Sequence, residues 1–312
     1  MANYIAIDGG TTNTKIFLVC DNQIMGNIVT KGVKYNNDNN NEYKAEIKNG
    51  ISQLLKDNNL CESDITKILC SGMITSETGL CPLKHLETPC GISEMADGMY
   101  ETKISDVSSL PFVFIRGVKT KAERFENADM MRGEETEFAG IAEADSSKSI
   151  YVFPGTHSKI IRTDNQGRIS DFSTEFTGEL IEVISKNSIL KSSIDMSCTE
   201  FSEEYLTRGY KYATEKGLNS ALFKVRVLGN LFDGSKEEVY SFFIGAVLSA
   251  EINNIIKTQN GSVVIVGKHP LCIATEILLN ACSDKKVIRL FDERSSHAAV
   301  YGMIKIYETK GL

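Results

Sequence analysis

Two glycine turns and one acidic helix start hold the residue types that could handle a phosphate. The first turn lies in Ile5-Ala6-Ile7-Asp8-Gly9-Gly10-Thr11-Thr12-Asn13-Thr14-Lys15, the second in Tyr151-Val152-Phe153-Pro154-Gly155-Thr156-His157-Ser158-Lys159. Gly9 and Gly10 permit a tight turn on which backbone N–H groups and the hydroxyls of Thr11, Thr12 and Thr14 converge on an anion, with Lys15 as a neighbouring cation. Asp8 ends a buried strand, where a carboxylate is costly unless it is paired or faces a metal ion. A Mg²⁺ ion held through water and phosphate oxygens would meet that need. The plainer alternative is a hairpin whose Asp8 only caps its turn. Gly155, Thr156 and His157 repeat the logic beside Lys159, although a lone histidine is more often a satisfied core or turn residue.

Ahead of the second turn, Gly133-Glu134-Glu135-Thr136 places carboxylates at a helix N-terminus, where the macrodipole favours the ionised form. Such a group can accept a proton from an attacking hydroxyl, and phosphoryl transfer asks little more of a base. An acidic first turn present for capping alone is the competing reading of the segment by itself. A Walker loop and a G-x-G-x-x-G turn are both absent: Gly261 to Lys268 has five residues between its glycines, followed by His269. Val263-Val264-Ile265-Val266-Gly267 reads as a buried strand ending in a glycine, a weak signal for close approach to the flat face of adenine.

The elements expected to position these groups form two similar halves. Residues 4–8, 14–20 and 24–35 read as a β-meander, followed by a helix over 42–58 with apolar Ile47, Ile51, Leu54 and Leu55. A strand over 65–70, a helix over 91–105, a strand over 112–115 and a helix over 134–144 follow. Asp145-Ser146-Ser147-Lys148 is the best boundary by composition, giving domains 1–146 and 147–312. The second half restarts with strands 150–153, 159–163 and 168–173. Helices over 178–190, 200–216, 219–229 and 236–257 follow, then strand 262–266, helix 270–282, strand 286–290 and helix 297–309.

Length and composition bound the function. With 312 residues, 42% hydrophobic and 24% charged, the chain supports two cores. A net charge of -7 without a dominant basic cluster argues against a nucleic-acid partner. The start goes straight into a strand without a basic n-region, and no apolar run is expected to approach membrane-spanning length, so a cytoplasmic chain with no membrane partner is expected. The eight cysteines show no CxxC spacing and are expected to be reduced.

Five blocks in chain order carry a family resemblance: Ala6-Ile7-Asp8 with Thr12-Asn13; Gly72-Met73 with Ser76 and Gly79; Met131-Arg132-Gly133-Glu134-Glu135-Thr136; Pro154-Gly155-Thr156-His157 with Lys159; and Phe172 with Thr177-Gly178-Glu179-Leu180. Together they resemble the 2-dehydro-3-deoxygalactonokinase family, within the sugar-kinase, Hsp70 and actin superfamily of ATP-binding folds. The resemblance implies an α/β, two-domain ribonuclease H-like fold with a central cleft, each domain a mixed five-stranded sheet flanked by helices. It implies a first domain that faces the substrate, a second on the adenine side, and ATP-dependent phosphorylation of 2-dehydro-3-deoxy-D-galactonate at its 6-hydroxyl with Mg²⁺. The base falls on Glu134, with Glu135 as the alternative, and the metal on Asp8. Nucleotide contacts fall on Gly9, Gly10, Thr11, Thr12, Asn13, Lys15, Gly155, Thr156, His157, Lys159 and Gly267. Met73, Ser76, Thr177 and Glu179 are expected to line the sugar-acid pocket. Arg132 is expected to meet the carboxylate, although it could equally brace Glu135 or a phosphate. A same-fold kinase of another sugar or sugar acid, such as 2-keto-3-deoxygluconate, and a non-catalytic ATP- or sugar-binding regulator are the rivals. The oligomeric state stays open, with a homodimer allowed.

Overall fold

The computed structural model describes residues 2–35, 40–142, 148–259 and 261–311. Strands β1 (Asn3–Gly9), β2 (Asn13–Cys20) and β3 (Gln23–Lys31) form an antiparallel meander, followed by α1 (Asn41–Asp57). Then come β4 (Lys67–Gly72), β5 (Leu86–Glu87), α2 (Ile92–Asp97), β6 (Tyr100–Lys103), β7 (Pro111–Phe114), β8 (Val118–Lys119), β9 (Met130–Met131) and α3 (Glu134–Ile141). A second meander, β10 (Ile150–Phe153), β11 (Ser158–Thr163) and β12 (Ile169–Glu175), leads into α4 (Thr177–Asn187), α5 (Glu203–Lys216), α6 (Leu218–Leu231) and α7 (Lys236–Lys257). The chain ends with β13 (Val263–Val266), α8 (Pro270–Cys282), β14 (Val287–Leu290), α9 (Glu293–Ser296) and α10 (Ala298–Thr309).

The chain divides into two compact units. One comprises Met1–Ser146, Gly167–Asp171 and Glu293–Leu312, the other Ser147–Gln166 and Phe172–Asp292. The boundary expected at 145–148 falls largely on 143–147, outside the described residues. The expected second domain running unbroken to 312 does not hold, because α10 packs with the first unit. Its buried Tyr307 meets Tyr4 edge-on, with ring centroids 5.7 Å apart.

The first unit is built on a six-stranded sheet in the order β3-β2-β1-β4-β7-β6. β1, β4 and β7 run parallel and are almost entirely buried, as expected of strands covered on both faces. The sixth strand corrects the expected helix over 91–105. Helix α2 stops at Asp97 before Gly98, a poor helix former, and Tyr100–Lys103 pairs antiparallel with β7. The core of this unit gathers Ile5, Ile7, Ile16, Ile47, Phe112 and Phe114.

The second unit holds a five-stranded sheet in the order β12-β11-β10-β13-β14, with its own core around Val152, Ile160, Phe243, Leu248 and Ile265. At 22 residues, α7 is long and apolar enough to cross a membrane, contrary to the expectation that no apolar run comes near that length. Its apolar window is 78% buried inside the unit, so its composition is accounted for by packing.

Helix α3 is held against α10 by backbone-to-backbone approach. A Cβ added at Gly302 would lie 1.9 Å from the Thr136 carbonyl oxygen, and one at Gly140 2.0 Å from that of Ala298. Even Gly302→Ala must therefore push the helices apart, at a cost of about 1–3 kcal/mol. The variant is expected to melt several degrees below the parent in a thermal scan; an unchanged midpoint would show that the helices are not held this closely.

Candidate active site

In the first unit, strand register places Lys15 opposite Asp8 on one side and Ser71 beside it on the other. The intervening turn is closed by the Gly10 N–H donating to the Asn13 carbonyl at 3.0 Å. Its carbonyls are tied down in turn: Gly10, Thr11 and Thr12 accept from the amides of Val33, Lys34 and Gly32 at 3.2, 3.1 and 2.8 Å. Among the described residues the amides of Thr11 and Thr12 make no hydrogen bond, and the side chains of Thr11, Thr12, Asn13 and Lys15 are exposed. Donors without acceptors on an exposed turn suit an anion. Thr14 does not join them, because its hydroxyl is buried against Tyr43 Oη at 2.8 Å.

The first turn of α3 is crowded with carboxylates. Glu135 is fully buried, with both oxygens accepting from the Gly133 N–H (3.0 and 2.9 Å) and Oε1 also accepting from Thr136 Oγ1 at 3.0 Å. Since Thr136 spends its proton on Glu135, Ser71 is the donor in the 2.5 Å bond between their hydroxyls. This chain ties the end of β4 to α3 and leaves Glu135 no oxygen to turn toward a substrate. Glu134, one residue earlier, is only partly buried. Burial pushes the Glu135 carboxyl up to about 8, the Glu134 charge adds to the rise, and the hydrogen bonds restrain it. Burial also pushes Glu137 up to about 8, with Asp8, Glu134 and Glu135 adding and Lys15 opposing. Asp8 is raised by burial and held back by Lys15. Asp8, Glu134, Glu135 and Glu137 thus form one mutually repelling group. Sequence reading missed Glu137, whose signal was its place three residues after Glu134, on the same helix face.

Arg132 is used differently from the expected two-point grip on a substrate carboxylate. Its Nη1 donates to Thr75 Oγ1 and its Nη2 to the Leu83 carbonyl, both at 2.7 Å, so the fork braces the segment after β4. That segment carries Met73, which is partly buried, and Ser76, whose hydroxyl donates to the Met73 carbonyl at 2.7 Å. His85 lies in the same cationic neighbourhood: burial first, then Arg132 and Lys119, bring it down to about 4.

In the second unit, the turn at 155–157 repeats the first in its hydrogen bonding. The Gly155 and Thr156 carbonyls accept from the amides of Gly178 and Glu179, at 3.1 and 3.0 Å. Only glycine fits at 178, where a Cβ would lie 2.4 Å from the Gly155 oxygen. His157 stacks on Phe176 with ring centroids 5.0 Å apart, and its Nε2–H donates to Glu179 Oε2 at 2.7 Å. Glu179 thus orients His157. Lys159 is buried, with Nζ donating to Thr174 Oγ1 at 2.5 Å, rather than standing open beside the turn. Thr177 is also turned inward: its hydroxyl donates to Glu251 Oε2 at 2.6 Å in a buried contact, so it does not line an open pocket as expected. Gly267 closes β13 with φ +114° and is partly exposed.

A pH dependence of stability follows from Glu135. Its folded-state value lies above the ordinary 4.5, so between about 4.5 and 8 the folded chain holds a proton that the unfolded chain has released. Stability from this group is present at low pH and is lost as pH rises through 8. Glu135→Gln is expected to reduce the fall in melting temperature between pH 5.5 and 8.5; an identical fall in both proteins would contradict the assignment.

The family model of 2-keto-3-deoxy-galactonokinase matches residues 8–305. The 2-dehydro-3-deoxygalactonokinase of Escherichia coli (strain K12) is 30% identical over 260 residues, 80% of each chain. The crystal structure of a candidate 2-dehydro-3-deoxygalactonokinase from Sinorhizobium meliloti superposes with a TM-score of 0.77 at 20% identity, covering 98% of this chain and 99% of that one. The activator of 2-hydroxyisocaproyl-CoA dehydratase from Clostridium difficile, with bound ADPNP, shares the fold more distantly, with a TM-score of 0.50 at 13% identity over 99% and 97% of the two chains. The match across nearly the whole sequence, over the turn after Asp8 and the acidic start of α3, shows that this chain belongs to the 2-keto-3-deoxy-galactonokinase family and is a carbohydrate kinase.

Proposed function

We propose that the protein transfers the γ-phosphoryl group of ATP to the 6-hydroxyl of 2-dehydro-3-deoxy-D-galactonate, giving the 6-phosphate and ADP. The observation that carries the choice of base is the contrast between two adjacent glutamates. Glu135 has both oxygens committed to the Gly133 amide, whereas Glu134 is partly exposed at the positive end of α3. Glu134 accepts the proton of the attacking hydroxyl in this reading. The substrate is taken from the name of the E. coli relative, and ATP use from membership in a kinase family.

The amides of Thr11 and Thr12, with Gly9, Gly10, Asn13 and Lys15, are assigned to the nucleotide phosphates, as are Gly155, Thr156 and His157. Gly267 is assigned to the adenine side. Arg132 is assigned to holding Met73 and Ser76 in place, and Glu179 to aiming His157.

Mg²⁺ fits the residues present. Among the described residues no three histidine, cysteine or carboxylate groups form a cage for a metal ion. That suits an ion held by phosphates and water with only one or two protein carboxylates. Asp8 is the group assigned to it, since burial raises its carboxyl and a cation would relieve that cost. Bound there, the ion would neutralise charge on the β- and γ-phosphates.

The direct test is ADP release coupled to a reporter, with 2-keto-3-deoxygalactonate compared with 2-keto-3-deoxygluconate and neutral aldoses. Release is expected with the galactonate derivative above all; equal rates on neutral sugars, or none on the keto acid, would overturn the substrate. Asp8→Asn is expected to lower Mg²⁺-dependent turnover by about 10- to 100-fold. Turnover by this variant at the parent rate and the same Mg²⁺ requirement would remove Asp8 from the metal site.

A further inference from the structure

Helix α7 is apolar and buried for most of its length, yet a polar stripe runs from Glu251 and Asn254 to Thr258, the residue that caps its C-terminal end. The spacing of three and four residues puts them on one face. Asn254 accepts from Arg162 Nη2 at 2.7 Å and donates to Glu175 Oε1 at 2.8 Å and Ser173 Oγ at 3.0 Å. Thr258 accepts from Arg162 Nε at 3.1 Å. The stripe therefore faces β11, which leaves the 155–157 turn, and its sheet neighbour β12.

Glu251 is the costliest member, at 1% exposure, with Oε1 buried and making no hydrogen bond among the described residues. An acid in such a place is disfavoured unless its contacts are worth the burial. Its contacts flank the turn on both sides. Thr177, the first residue of α4, donates to Oε2 at 2.6 Å, and Ser158, the first residue of β11, is a second hydrogen-bond neighbour. Ser158 Oγ also accepts from the Gly155 amide at 3.3 Å, while the amides following Thr177 hold the turn's carbonyls. Burial pushes the carboxyl up to about 7, and Thr177 and Ser158 draw it down.

We propose that Glu251 is a positioning residue for nucleotide phosphate binding, fixing the 155–157 turn by anchoring Ser158 and Thr177 from beneath. This rests on the reading that the turn contacts ATP phosphates. Glu251→Leu and Thr177→Val in the full chain are each expected to raise KM for ATP about ten-fold or more, with a much smaller change in kcat. Glu251→Gln, which keeps an acceptor for Thr177, should restore KM to near the parent value. Amide hydrogen exchange without nucleotide should quicken in peptides covering 154–158 and 177–180 in the Leu and Val variants, and not in those covering 3–20. If Glu251→Leu fails to fold, Thr177→Val carries the test alone. Parent-like KM and exchange in Thr177→Val, and in Glu251→Leu where it folds, would overturn the proposal. Faster exchange in the Leu and Val variants of a parent protein that itself neither binds nor turns over ATP would leave the brace standing and remove the kinase reading of the turn.

Discussion

The first unit depends on how four carboxylates are held around the start of α3. Like charges gathered in a buried place repel one another and lose solvation, and the proton affinities of Asp8, Glu135 and Glu137 are raised accordingly. Glu135 gains the Gly133 amide and the Thr136 hydroxyl, and Asp8 gains the facing Lys15. The backbone approach of α10 fixes the helix that carries the cluster, and the Ser71–Thr136 bond fixes its distance from the parallel strands. Glu135 is committed to structural hydrogen bonds, whereas Glu134 is partly exposed at the helix start and is the member proposed for chemistry.

The two units solve a second problem in the same way. A turn meant for an anion must not present its carbonyl oxygens. In the first unit those oxygens are taken by the amides of residues 32–34, and in the second by the first amides of α4. In both cases the chain following the third strand of a meander supplies the donors. The sequences of the two segments share little beyond glycine and threonine, so the repeat is one of hydrogen bonding, not of side chains.

Much of this was legible in the residues. Alternating and β-branched runs marked both meanders, and the glycines and acids marked the turns and the start of α3. What stayed hidden depended on partners distant in sequence. Thr177 bonds a glutamate 74 residues away, and Arg132 reaches Thr75 across 57. No local pattern distinguishes an arginine that reads a ligand from one that braces a loop. The segment at 91–105 misled because its helical start is followed by Gly98 and then by residues suited to a strand. The return of α10 to the first unit was equally invisible, since a buried apolar helix fits either unit by composition. Glu251 did leave a trace: it is the one acid in the apolar run from Val239 to Ile256.

These constraints make a single side chain decisive. The central claim is that Glu134, and not its buried neighbour, takes the proton from the acceptor hydroxyl. It is tested most directly by steady-state turnover of Glu134→Gln beside calorimetric titration of the same protein with ATP. The account predicts a fall in kcat of about 10²- to 10⁴-fold with ATP affinity unchanged. Near-parental turnover in this variant would contradict it.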